Sequence, residues 1–429
     1  MANLPDHITL TQYKCFRDSI TLDIKPVTLL FGRNNAGKSA LIRSLAIISD
    51  SLRSGGVGAI DLDSSALRGT PFDSLVWAGE PGNSQNRLSP KQLEFGLGWA
   101  GSERPTLSLI LQQYRDKPWN RVLIKAVSIH TVASGKTNLV CQTRPEDAKS
   151  QRLRYLADGE TEVDLEFSGL LLNKASGYID SAVASLQPDL KLFGDAVVWL
   201  PPTRTPPDRF TSIPSGPPAR IQADGNRAVQ ILHTWPEIKE AVKGWYQDHL
   251  KRRLDIQEDI RGLRAQLRAG SMGTDLCDCG EGMTQVLPVL TALEMVRTRS
   301  RQPNNPQLLA IEEPEGHLNP WLQRELGRRV AEVGADCGDS RVVLETHSEQ
   351  LLLGVQTAVA KGDILPEDVA LHWVHQDPQD GATFVDKIPI DEKGRLQGRW
   401  PKSAFKESLE MARELLAVQL GEDVKKVKE

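Results

Sequence analysis

The stretch from Val27 to Ala46 constrains this chain more than any other. Val27-Thr28-Leu29-Leu30-Phe31 is an apolar run, and Gly32-Arg33-Asn34-Asn35-Ala36-Gly37-Lys38-Ser39 fits GxxxxGK[ST]. A second apolar run, Ala40 to Ala46, follows directly. Strand, glycine-bearing loop and helix in that order are the context a phosphate-binding loop needs. Gly32 and Gly37 let the backbone turn tightly beside an anion. Consecutive N–H groups then converge on phosphates at a helix N-terminus, where the helix dipole favours negative charge. Lys38 is placed to reach the β- and γ-phosphates, and the Ser39 hydroxyl to hold Mg²⁺. A chance match in a surface turn is the bland alternative, and the flanking strand and helix argue against it. The pattern therefore implies a nucleoside triphosphate as ligand.

Composition narrows the rest. With 429 residues the chain has room for two or three domains. Its 39% hydrophobic and 25% charged content is that of a water-soluble globular protein. No run of about 18 apolar residues predicts a membrane span. Met-Ala-Asn-Leu-Pro-Asp-His at the start lacks the basic and apolar regions of a signal peptide. Five scattered cysteines, Cys15, Cys141, Cys277, Cys279 and Cys337, suit a reducing cytoplasm. Cys277 and Cys279 form a CxC without a matching pair, too little for a zinc site. A net charge of −4 does not indicate nucleic acid, although a local basic patch stays compatible with it.

Periodicity sets the organisation. Ile8-Thr9-Leu10 and Ile20 to Ile24 alternate and predict an antiparallel pair leading into the phosphate-loop strand. The helix after Ser39 is expected to run to about Leu52. Between Leu93 and Phe167, short alternating segments separated by Gly, Asp and Ser predict an antiparallel β insertion. Pro201-Pro202 through Pro217-Pro218 predicts an irregular crossing. Glu237 to Arg268 reads as helical, with Ile256, Ile260, Leu263 and Leu267 on one face. Its six acids and eight bases fit a solvated amphipathic pair better than a DNA-contacting arm. Leu308 to Ile311 and Val342 to Glu345 are near-continuous apolar runs, as buried parallel strands require. A helix of the type Trp321–Val333 lies between them. Ser403 to Leu420 predicts an amphipathic C-terminal helix.

Three later segments carry chemistry. Leu308 to Ile311 ends in Glu312-Glu313. The first carboxylate at such a strand end can bind Mg²⁺ or its water, and the second can orient or deprotonate an attacking water. An acidic helix start accounts for the pair equally well on its own. His347 follows Val343-Leu344-Glu345-Thr346, at the end of the next strand, where a histidine can sense a γ-phosphate. Isolated histidines are commonly structural, and His372 and His375 are assigned that role. Gly280-Glu281-Gly282-Met283-Thr284-Gln285 precedes the apolar helix Val286 to Leu290, a glycine-bearing helix start and a second anion-binding device.

The order of these four elements resembles the ABC-type ATPase heads of the structural-maintenance-of-chromosomes and RecF-like group. The resemblance is closest to stand-alone prokaryotic ATPases of phage-defence cassettes that carry a small C-terminal region of unknown function. Glu312 to Pro320 (Glu-Glu-Pro-Glu-Gly-His-Leu-Asn-Pro) and Glu345 to Glu349 (Glu-Thr-His-Ser-Glu) carry it, and it covers most of 6–50 and 275–405. It implies an α/β fold, a phosphate-loop ABC-type ATPase head with an antiparallel β insertion and a helical subdomain. The expected layout is an N-terminal part of the head over 1–80 and a β-rich insertion over 81–200. A proline-rich crossing and helical arm follow over 201–270, the C-terminal part of the head over 271–390, and a helical region over 391–429.

Carried onto this sequence, the resemblance makes Gly32, Arg33, Asn34, Asn35, Ala36, Gly37, Lys38 and Ser39 the ATP-binding loop. Ser39 and Glu312 hold Mg²⁺, Glu313 is the hydrolytic base, and His347 is the switch. His317 to Asn319 form the D-loop. Gly280, Glu281 and Gly282 face the nucleotide of a second subunit. Glu312 stands where such ATPases have Asp, and Gly280 replaces the signature serine. A glutamine-lid residue is not assigned, and Trp77 lies near where one is sought.

The implied function is an ATPase working through association of two heads, as a homodimer or higher homo-oligomer. A role as sensor or scaffold for a separate effector in antiviral defence follows from the defence-cassette resemblance. The alternatives are a DNA-tethering or repair ATPase of the RecF-like type, and the ATPase subunit of a nuclease complex. Overcoming-lysogenisation-defect nucleases append a Toprim domain to a similar head. The acids after His347, at Asp377 and Asp380, do not make a Toprim pattern, so the chain is not expected to cleave DNA by itself. Salt-dependent DNA binding favours the tethering reading, and co-purification of a neighbouring gene product favours the scaffold.

Overall fold

The computed structural model describes residues 2–400, apart from 54–57, 79–90, 100–105, 117–118, 132–134, 142–151, 158–160, 219, 301–304 and 399. The expected C-terminal helix at Ser403 to Leu420 lies outside the described residues. Along the chain, β1 (His7–Thr11), β2 (Ile20–Asp23) and β3 (Val27–Gly32) lead into α1 (Lys38–Arg53). Seven strands follow: β4 (Gln92–Gly98), β5 (Thr106–Asp116), β6 (Trp119–Thr131), β7 (Gly135–Cys141), β8 (Arg152–Ala157), β9 (Thr161–Ser168) and β10 (Leu171–Ala175). Next come α2 (Asp180–Ala196), β11 (Val197–Leu200), α3 (Ala228–Thr234) and α4 (Pro236–Leu250). Three strands, β12 (Arg253–Asp259), β13 (Gly262–Ala269) and β14 (Met272–Asp275), precede α5 (Glu281–Ser300) and β15 (Leu308–Glu312). The chain continues through α6 (Pro320–Ala335), β16 (Arg341–Thr346), α7 (Glu349–Lys361), β17 (Val369–Gln376) and β18 (Thr383–Ile388).

A six-stranded sheet in the order β11-β15-β16-β3-β17-β18 carries the phosphate-loop strand near its centre. All neighbouring pairs are parallel except β17–β18. β3, β15 and β16 are buried on both faces, which accounts for their continuous apolar runs. Leu30, Leu308, Ala310 and Val343 pack on the α1 side, whereas Leu29, Leu309, Ile311 and Leu344 pack on the opposite side. Leu41, Leu45, Ile48 and Leu52 make the buried stripe of α1 at helical spacing. Where α1 passes α2, Ser49 Oγ donates to the Gly194 carbonyl at 2.8 Å. α6 starts at a capping residue, Asn319, whose side chain accepts from the Leu322 N–H, with Pro320 in the first turn. α7 is capped by Ser348 and closed by Gly362 at φ 79°.

The β insertion is antiparallel, as its alternation predicts, and it is not a separate sheet. β4 pairs with β1, so the insertion extends the N-terminal pair into nine strands, ordered β10-β9-β8-β7-β6-β5-β4-β1-β2. The helical reading of Glu237 to Arg268 needs correction. The helix stops at Leu250, where Lys251 takes a left-handed conformation with φ 53°. Residues 253–269 then form a β-hairpin around Ile260 and Arg261, with Asp259 opposite Gly262. Ile256, Ile260, Leu263 and Leu267 are spaced like one helix face, which misleads. In the hairpin, Leu263 and Leu267 are buried and Ile260 is fully exposed at the tip. Gly262, at φ 127°, sits where an added Cβ would lie 2.5 Å from the Thr211 carbonyl oxygen.

Candidate active site

The phosphate-loop sequence ends β3 and opens α1 at the C-terminal edge of the parallel sheet. Gly32 is required by crowding, since a Cβ there would lie 2.2 Å from the Val374 carbonyl oxygen on β17. Gly37 is required by its φ of 103°. Asn35 also turns left-handed, at φ 63°, and Arg33, Asn34 and Asn35 are exposed. Lys38 is folded into the loop: its Nζ donates to the carbonyls of Gly32 (3.0 Å) and Arg33 (2.9 Å). Burial lowers its pKa to about 8, and the nearby Glu345, Glu313 and Glu315 carboxylates oppose that shift.

Ser39 and Arg43, one helical turn apart on α1, each meet a strand-end carboxylate. Ser39 Oγ donates to Glu345 Oε1 at 2.7 Å. Arg43 donates to both oxygens of Glu312, through Nε at 2.7 Å and Nη2 at 2.5 Å. Trp199 Nε1 gives Glu312 a third hydrogen bond at 2.8 Å. The carboxylate expected to hold Mg²⁺ is therefore a buried structural partner of α1 in this conformation. Glu345 is 2% exposed, and its Oε2 accepts no hydrogen bond. Burial pushes its pKa up to about 7.

Glu313 is exposed, and its backbone sits at φ 44°, a region a glutamate seldom enters. The turn is held from two directions. The Glu313 N–H donates to the Glu345 carbonyl at 2.8 Å. Arg204 Nη2 donates to the carbonyls of Glu312 (2.6 Å) and Glu313 (3.3 Å). Arg204 is buried, burial lowers its pKa to about 10, and its own backbone is clamped by Gln285 of α5.

His347 follows β16 and reaches Lys38, with 3.5 Å between Nδ1 and Nζ. Burial, with the Lys38 charge beside it, lowers its pKa to about 4, so it is neutral near pH 7. Its backbone N–H donates to Glu315 Oε1 at 3.1 Å, and Thr346 Oγ1 donates to the same oxygen at 2.6 Å. The buried Glu315 carboxyl thus ties the turn after β15 to the start of the segment after β16. Burial raises its pKa.

Gly280 and Glu281 are exposed at the start of α5. Gly282 is buried against His317 and Leu318, the segment expected to be the D-loop, where an added Cβ would lie 2.5 Å from the His317 carbonyl oxygen. Glu281 Oε2 also meets His317 Nδ1 at 3.0 Å. Trp77 donates its backbone N–H to Gln12 at 2.8 Å, on the edge of the N-terminal strand pair. His372 is buried with Nε2 3.2 Å from the Asp23 carbonyl oxygen, and His375 pairs with Asp386 at 3.0 Å.

The fold thus gathers Lys38, Ser39, Glu312, Glu313 and His347, and it sets Gly282 and Glu281 beside His317. Sequence reasoning assigned no role to Arg43, Trp199, Arg204, Glu315 and Glu345. Glu345 had a signal, because it ends an apolar strand as Glu312 does. Arg204 had none, lying in an irregular proline-rich stretch. Among the described residues no group of three or more His, Cys, Asp or Glu could hold a metal by itself. Magnesium in such loops is completed by phosphate oxygens and takes only one or two carboxylates. A hydroxyl at Ser39 and an unpartnered buried oxygen at Glu345 fit that requirement.

Residues 225–353 match the family model described as "AAA domain, putative AbiEii toxin, Type IV TA system". That span holds the glycine turn of α5, the two acids at the end of β15 and His347. Residues 364–415 match a second model, "Protein of unknown function (DUF3696)". Among solved structures, the chain is similar to the SmcHead bound to the C-winged helix domain of ScpA. The identity is 12% and the TM-score 0.46, over 91% of this chain and 98% of that one. It is also similar to the SMC head domain from Thermotoga maritima, with 11% identity and a TM-score of 0.38, over 91% and 100% of the two chains. No curated protein sequence matches.

Proposed function

We propose that the chain is an ATPase whose complete sites form when two copies meet, each phosphate loop facing the other's Gly280-Glu281-Gly282 turn. One observation carries this reading: Lys38, Ser39, Glu313 and His347 converge on one sheet edge, while Gly280 and Glu281 stand exposed on a helix start. The exposed turn offers backbone donors and a helix dipole to an anion approaching from outside. A triphosphate held between two such surfaces leaves water, and the contacts to its charge strengthen accordingly.

In this mechanism the backbone of 32–39 cradles the phosphates. Lys38 exchanges its two loop carbonyls for β- and γ-oxygens. Ser39 and a strand-end carboxylate would hold magnesium, which would supply charge neutralisation on the phosphates. Glu313, presented by its strained turn, orients the attacking water and takes its proton. Neutral His347 accepts or donates one hydrogen bond at the γ-position, and Glu315 transmits its displacement to the D-loop. ATP then joins the heads, and hydrolysis lets them part.

The role of such a cycle is to hold or release a separate effector in a prokaryotic antiviral system in the cytoplasm. The match to the model described as a putative AbiEii toxin of a Type IV TA system supports this assignment. Steep salt-dependent DNA binding without a companion protein would replace it by the tethering role.

Glu313→Gln tests the chemistry. Phosphate release should fall about 10²–10⁴-fold, the usual contribution of a general base, while binding of a fluorescent ATP analogue persists. Turnover at the wild-type rate in that variant, or no ATP binding by the wild type, would sink the reading.

A further inference from the structure

Ser39 and Arg43 lie at i and i+4 on α1 and so project from one face of it. Beneath them, β15 and β16 are neighbouring parallel strands with Glu312 directly opposite Glu345. Both carboxylates point to the α1 side, continuing the parity of Ala310 and Val343. Residue identities on α1 then decide what each meets: a hydroxyl above Glu345 and a guanidinium above Glu312.

The two carboxylates differ in what they have left to offer. Glu312 accepts from Arg43 at both oxygens and from Trp199 at one, and its charge is neutralised by a bidentate pair. Recruiting it to a cation would break that pair and leave the Arg43 guanidinium, itself largely buried, without its partner. Glu345 accepts one hydrogen bond from Ser39, and its second oxygen has none although the residue is 2% exposed. Lys38 does not fill the gap, since its ammonium is bonded to the carbonyls of Gly32 and Arg33. A buried carboxylate oxygen without a partner is costly, and a cation there removes the cost.

We propose that Glu345, with Ser39, holds the magnesium of the bound nucleotide, and that Glu312 is a positioning residue that seats α1 through Arg43. The proposal rests on the ATPase reading and deepens it. The acid before Glu313 is then a strut, and the neighbouring strand supplies the ligand. The Glu313 N–H on the Glu345 carbonyl places the base and the metal ligand on one connected backbone. The Glu312 side chain reaches both Arg43 and Trp199, as a strut requires.

Mn²⁺ uptake, followed by loss of the free-ion electron paramagnetic resonance signal in the presence of ADP, tests this without turnover. Binding of a fluorescent ADP in EDTA is measured alongside. For Glu345→Gln the apparent Mn²⁺ affinity should fall about tenfold or more, with EDTA binding unchanged, and for Glu312→Gln any fall in Mn²⁺ affinity should be matched by an equal fall in EDTA binding. Wild-type Mn²⁺ affinity in Glu345→Gln, or about a tenfold loss in Glu312→Gln with EDTA binding intact, would overturn the proposal. If Glu345→Gln loses binding in EDTA as well, Glu345→Asp decides. Weakened Mn²⁺ uptake with intact EDTA binding upholds a ligand, and unchanged uptake refutes it. A wild type that binds no nucleotide in either condition refutes the ATPase reading itself, an outcome distinct from all of these.

Discussion

At the scale of single residues the site is a set of titratable groups whose ordinary pKa values are moved by burial. His347 is the clearest. With a pKa near 4 against about 6.5 in an unfolded chain, it is neutral in both states above pH 6.5 and contributes no pH dependence there. As pH falls below 6.5 the unfolded chain takes up the proton first, so the folded state loses stability until about pH 4. The His347 ring resonances of the nucleotide-free protein should therefore show no titration step between pH 5.5 and 8. A step near 6.5 by NMR would show the ring to be solvated and free of Lys38. Lys38, Ser39, Glu313 and His347 were legible because each sits in a short contiguous pattern whose chemistry depends on local order. Arg43, Glu315 and Glu345 were not, because their roles depend on which strand lies beside which.

At the scale of elements, one buried ion pair, Arg43–Glu312, joins the apolar stripe of α1 in seating it on the sheet. Arg43→Met keeps most of the volume and removes the charge, leaving the Glu312 carboxylate buried with Trp199 alone. Such a loss costs about 3–5 kcal/mol, while removing both charges together costs less because no orphan remains. Denaturant unfolding of Arg43→Met beside the Arg43→Met/Glu312→Met pair measures this. Equal destabilisation in the two would show that packing, and not the charge, holds α1. Strand and helix types near the loop were readable from continuous apolar runs, since β3, β15 and β16 are covered on both faces. The hairpin at 253–269 was not. Its apolar residues fall at spacings of three and four, which fit a helix as well as a strand pair. The better signals were Gly262, whose φ of 127° a helix does not use, and the alternation through Arg253 to Asp259.

At the scale of the whole molecule, the proposed function makes the phosphate loop half of a site. Its lysine, its hydroxyl and the strand-end acids belong to one sheet edge, and the exposed glycine turn that would complete them is mounted on another helix. Sequence order predicted which segments carry the chemistry, and only the strand register places Glu312 against Arg43 and Trp199. Association is the central claim, and one measurement bears on it directly. Light scattering of the Glu313→Gln protein with saturating ATP and Mg²⁺ should give twice the 47.4 kDa mass of the chain, with the single-chain mass returning when ATP is withdrawn. A single-chain mass with ATP bound at saturation would contradict the account.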